Sequence, residues 1–161
     1  MEEVLEDLIK LVGEAFPFMK TVDEDYGQLE MLDDNTRDTY PVTFPAVLID
    51  APETSWTGVA GPDQRGTCQV RVRLIIDCYD DTHWQSGTIE AIQERENMRR
   101  ALHVLLQGHR VGGEDQELMR TASRFYTWNH GIKVYESTYS LAVSEYITRD
   151  TQPVRNATMR I

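Results

Sequence analysis

Thr67–Tyr79 reads TCQVRVRLIIDCY, and Val70, Val72, Leu74, Ile76 and Cys78 fall at every second position. Between them stand Gln69, Arg71, Arg73 and Asp77. A period of two marks a strand with one buried and one wet face, because successive side chains leave a pleated backbone on opposite sides. Ile75 and Tyr79 interrupt the polar side, so the outer face is not all solvent. At about 3.3 Å per residue this stretch spans roughly 40 Å, about twice a typical strand, which predicts a strand that bends or projects beyond its sheet.

The flanking segments read as pieces that cover this strand or pair with it. Residues 2–16 carry a helical stripe, Val4, Leu8, Leu11, Val12 and Ala15, widened by Leu5, Ile9 and Phe16. Glu2, Glu3, Glu6 and Asp7 favour a helix N-terminus through the dipole, and Pro17 stops the helix. Residues 20–43 form an acidic connector with few apolar anchors and room for a short hairpin. Phe44–Asp50, FPAVLID, reads as a short strand with Pro45 at its start or edge.

Residues 51–66, APETSWTGVAGPDQRG, hold two prolines and three glycines and read as a long loop. Trp56 on that loop is either a partner anchor or a ring folded back onto the sheet. A second helix is expected over 86–107, with Ile89, Ile92, Met98, Ala101, Leu102, Leu105 and Leu106 as its apolar side and Gly108 closing it. Its middle, QEREN, is polar all round, so packing there should be thin. Strands at 118–128 and 132–147 are joined by Asn129-His130-Gly131, a tight hairpin signal.

The order α-β-β-α-β-β predicts an α+β fold: a mainly antiparallel sheet of about four strands with two helices packed on one face. A single domain over 1–148 and a flexible arm over 149–161 follow from the patterning and from the chain length of 161. Arg71, Arg73, Arg120, Arg124, Glu136 and Glu145 are placed on the sheet face away from the helices, either solvated or at a subunit interface.

Sixteen basic against twenty-seven acidic residues give a net charge of −11. Residues 1–63 hold fifteen acidic and three basic side chains, and the remainder twelve and thirteen, so nearly all the negative charge is N-terminal. Phosphate-backbone binding relies on clustered Lys and Arg, which argues against a sequence-specific nucleic-acid binder. No apolar run is long enough to span a bilayer, and the acidic N-terminus is the wrong charge for a signal peptide, so no membrane partner is expected. Cys68 and Cys78, about 33 Å apart on one strand, are too distant for a disulfide and read as small hydrophobes.

A Gly-rich phosphate loop, HExxH, paired CxxC and GxSxG are all missing from the sequence. Asp77, Asp80, Asp81 and His83 are the best metal candidates, but their spacing fits no closed site, and aspartates before a helix already answer to its dipole. No catalytic residue, cofactor or metal ligand is assigned.

FPAVLID, a loop containing SWTG, and then TCQVRVRLIIDCYDD resemble the tail-terminator (minor tail) proteins of lambda-type long-tailed bacteriophages. SRFYTWNHGIKVYESTYSLAVSEYI, residues 123–147, is similar to that family's closing strand pair. The likeness covers 1–148 in element order and 44–80 and 123–147 in residue detail; the longer 20–43 connector and the 149–161 arm depart from it.

The resemblance implies a non-enzymatic virion protein, made in the host cytoplasm and carried in the tail. It implies a homohexameric ring that caps the tail tube, ends its polymerisation and joins the head, with the tube protein and a head connector as partners. An acidic ring would let DNA pass without sticking. Trp56, Arg65, Arg71 and Arg73 are the expected protein-interface residues. The alternative is an α+β binding or assembly module outside phages, using the 51–66 loop and the open sheet face.

Overall fold

The computed structural model describes residues 2–34, 42–78, 82–111 and 116–149. Its strands are β1 (Thr21–Glu24), β2 (Ala46–Ala60), β3 (Asp63–Ile76), β4 (Met119–Trp128) and β5 (Ile132–Glu145). They form a five-stranded sheet in the order β1-β2-β3-β5-β4, with β3 at its centre. β1 runs parallel to β2, and every other pairing is antiparallel. The fold is α+β as expected, with one strand more than expected and a mixed sheet; the additional strand, β1, comes from the acidic connector.

Helices α1 (Glu2–Ala15) and α2 (Glu90–Leu106) sit on one face. The alternation in β3 points Cys68, Val70, Val72 and Leu74 at them, all at most 2% exposed. Val4, Leu5, Leu8 and Val12 of α1 close over this row, joined by Val47 and Ile49 of β2 and Tyr139 and Leu141 of β5. Each such side chain contributes about 1.5–3 kcal/mol through removal from water. α2 is held by its C-terminal half, through Leu102 and Leu106. Ile89 and Ile92, expected on its packed side, are 39% and 46% exposed. Gly108 follows α2 at φ +77°, a region that L side chains rarely enter, and this ends the helix.

The opposite face has a core of its own, which the sequence did not announce. Leu29, Val42, Ala46, Leu48, Ile75, Ile132 and Val134 are buried there. Ile75 is the residue that broke the polar alternation. The connector supplies the cover: it leaves β1, donates from Asp25 N–H to the Ile49 carbonyl at 2.8 Å, and turns through a 3-10 segment, Glu30–Asp33. Gln28, 2% exposed, is fully served within this turn: its Nε2 donates to the Glu24 carbonyl and its Oε1 accepts from Tyr26 N–H.

The long loop expected at 51–66 is a β-hairpin instead. β2 continues through Ala60, and β3 begins at Asp63. The breakers have local uses. Ala51-Pro52 form a bulge between the Asp50↔Arg71 and Glu53↔Gln69 pairs, where a residue without an N–H is tolerated. Gly61 takes φ +55° at the turn. This extension of β2 carries no apolar period because most of residues 51–60 are exposed.

Val72 lies mid-strand against both helices, and an unpaired charge there costs several kcal/mol. Val72→Asp should abolish the cooperative thermal transition, read by circular dichroism; a soluble variant that melts normally would overturn this register.

Candidate assembly surfaces

The four expected interface residues divide into different environments. Arg73 is inside the molecule, 4% exposed. Its Nε and Nη2 donate to the Asp25 carboxylate at 2.7 and 2.9 Å. Nη1 and Nη2 donate to Glu30 at 2.6 and 3.2 Å, and Nη1 also reaches the Tyr126 hydroxyl at 3.4 Å. A guanidinium carries five N–H donors, and these contacts occupy all five. Burial alone would lower its pKa, but the bonds from Glu30, Asp25 and Tyr126 together outweigh it and raise the pKa instead. The expectation that Arg73 is offered to a partner is therefore corrected: it fastens the connector to β3.

Arg71 is partly open. Its Nη2 donates to Asp50 at 3.2 Å, and its Nε is 3.7 Å from Glu136, which also pairs with Arg124 at 2.8 Å. These four charges run across β2, β3, β5 and β4. Arg65 is exposed beyond them, paired in register with Thr57 and Ser144. Around it lie Ser55, Thr67 and Gln69, so this end of the sheet offers a polar, open face.

Trp56 occupies the other side of the same extension, half-buried opposite Gly66. A Cβ on Gly66 would sit 2.6 Å from the Ser55 carbonyl and 2.9 Å from the indole ring. Glycine at 66 is thus what lets the ring lie flat on the sheet, as one of the two sequence readings had it. The indole still borders a cleft of about 430 Å³, with Val111, Leu141 and Val143 for its floor and Glu2, Glu3 and Glu145 at its margin. No sequence signal pointed to this cleft, because its lining comes from four separated segments.

Other polar pairs hold the elements together. His109 Nε2 lies 3.0 Å from Asp7, and His130 Nε2 lies 2.8 Å from Asp33, joining turns to the acidic segments. His103 Nδ1 is 2.9 Å from the Tyr139 hydroxyl. Burial pushes Tyr139 up to about 12 and, with the charges of Arg120 and Arg99, lowers His103, so the phenol donates to a neutral imidazole. Among the described residues no three His, Cys, Asp or Glu side chains converge as metal ligands; Asp80 and Asp81 lie outside them. Likewise, no described helix is long and apolar enough to cross a membrane.

The two arginines of β3 should separate cleanly on truncation. Arg73→Ala strands the Asp25 carboxylate, whose side chain is 3% exposed, and should cost about 3–5 kcal/mol in chemical denaturation. Arg71→Ala, at 39% side-chain exposure, should cost no more than about 1 kcal/mol.

A pH effect follows from the same cluster. The bond from Arg73 holds Glu30 below its ordinary value of 4.5, against the opposing effect of burial. A lowered folded pKa means the unfolded chain takes up the proton first. The stabilisation is complete above the unfolded value and is lost as pH falls through the folded one. Glu30→Gln should therefore flatten the acid limb of the stability curve, and an unchanged limb would contradict the pairing.

No protein-family model matches this chain, and no curated protein matches it. Among solved structures it is similar to a chain of the virion of a native gene transfer agent particle. The identity is 7% and the TM-score 0.50, over 88% of this chain and 95% of that one. At that identity the likeness is one of fold.

Proposed function

We propose that this chain is a structural, non-enzymatic component of a phage-like virion, and specifically a tail terminator. In this reading it forms a six-membered ring on the tail tube, ends tube growth and presents a surface to the head connector. The observation that carries the reading is the match in fold to a virion component, which spans nearly the whole of both chains. The sequence likeness at 44–80 and 123–147 narrows it from virion protein to terminator.

The charge layout supports closure into a ring. Subunits in a ring meet head to tail, so each needs two different, complementary patches. The outer strands of this sheet are unlike: β1 carries Asp23 and Glu24 and no base, and β4 carries Arg120 and Arg124 and no acid. α1 lies over the β1–β2 side and extends the acidic edge with Glu2 and Glu3, since Glu6 pairs with Lys10 and Asp7 with His109. These arginines replace the buried Arg73 as the basic partners: both are exposed, Arg124 while paired with Glu136.

Native mass measurement at low salt should give about six times the 18.5 kDa chain mass. Arg120→Glu combined with Arg124→Glu should return the subunit mass with native circular dichroism. In a tail-producing system lacking this chain, tubes should overgrow and fail to join heads. Tails of normal length joined to heads in its absence would overturn the function.

A further inference from the structure

The cleft beside Trp56 has a chemistry that the other described residues leave unmatched. Its floor, Val111, Leu141 and Val143 with the indole, is apolar, while Glu2, Glu3 and Glu145 stand at its margin. Among the described residues no Lys, Arg or His forms an ion pair with any of these three carboxylates. An apolar floor with an acidic margin suits a cation whose hydrophobic stem lies along the floor while its charge meets the margin, with the indole face adding attraction.

The chain itself contains such a ligand. Residues 150–161, DTQPVRNATMRI, lie outside the described residues and alternate cations with apolar groups: Val154-Arg155 and Met159-Arg160-Ile161. Only Asp150 opposes them. The exit direction bears on whose cleft they reach. Trp56, Gly66 and Val143 form one row across the sheet. β5 then runs on past Gln64↔Glu145, and Ile147 N–H donates to Asp63 Oδ1 at 3.1 Å beside the hairpin turn. The chain is thus heading away from its own cleft as it passes the hairpin tip. Twelve further residues reach about 40 Å when extended, enough to cross a subunit boundary, whereas its own cleft requires a full reversal.

We infer that the arm 150–161 of one copy docks in the Trp56 cleft of the adjoining copy, with Arg155 or Arg160 facing Glu2, Glu3 and Glu145. The inference rests on the ring reading and adds a clasp between neighbours to it. The arm tethers each subunit to the next and raises the effective concentration at the main contact.

The test uses the full chain with Met159→p-benzoylphenylalanine, assembled from an equal mixture of isotopically heavy and light chains and irradiated. Cross-links should fall on peptides containing Trp56, Glu2–Val4 or Leu141–Glu145 and join heavy to light chains as often as chance allows. Reversing charge with Arg155→Glu and Arg160→Glu should lower the yield about tenfold, a modest loss of charge pairing. Links confined to one chain, links elsewhere, or a yield indifferent to charge reversal would each overturn the clasp. Native mass on the same sample separates the two levels. Ring mass without the cross-links removes the clasp and keeps the ring, while subunit mass removes both.

Discussion

Arg73 sits beneath the sheet with all five donors engaged, joined to two acidic residues that lie more than forty positions away in sequence. Removing a guanidinium and a carboxylate from water is costly, so an ion pair of this kind adds little net stability over an apolar pair of the same shape. Its consequence is positional. A connector with few hydrophobes has one site at which its charges can be satisfied, and that site fixes where Leu29 and Gln28 enter the second core. The central strand is therefore covered on both faces, by helices on one side and by a strapped acidic turn on the other.

The same cluster changes the meaning of the charge distribution. In sequence the N-terminal 63 residues look like a uniformly negative surface. In the folded chain Asp25 and Glu30 are taken up by Arg73, Asp50 by Arg71, Asp7 by His109 and Asp33 by the Asn129-His130 turn. What the ion pairs among the described residues leave open is narrower: Asp23 and Glu24 of β1, Glu2 and Glu3 of α1, and Arg120 of β4. Strands β1 and β4 stand at opposite ends of the sheet order.

The β2–β3 hairpin runs well beyond its buried base. Beyond the bulge at Ala51-Pro52 most positions of β2 are exposed, with a polar face on one side and the indole of Trp56 on the other. Trp56, Arg65 and the end of β5 lie together on this extension, Trp56 half-buried and Arg65 exposed. Among the expected interface residues, Trp56 and Arg65 lie on it, while Arg71 and Arg73 belong to the supported part of the sheet.

The sequence by itself determined the elements whose burial is one-sided and periodic. The row Val70, Val72, Leu74 in β3, the stripe Val4, Leu8, Val12 in α1 and the closing hairpin around Asn129-Gly131 were all legible, because burial imposes a period of 2 or 3.6. Only the tertiary structure decided the rest. β1 and the turn after it are held by Arg73 and by parallel pairing, neither of which leaves a local pattern. The hairpin at 51–66 is open to solvent on most positions, so its strands carry no alternation, and its prolines and glycines marked a bulge and a turn where they suggested a loop. The Trp56 cleft is built from segments up to 143 residues apart. A period reports the contact of a segment with one environment, whereas a cleft or a buried charge cluster records which distant segments meet, and that is set by packing.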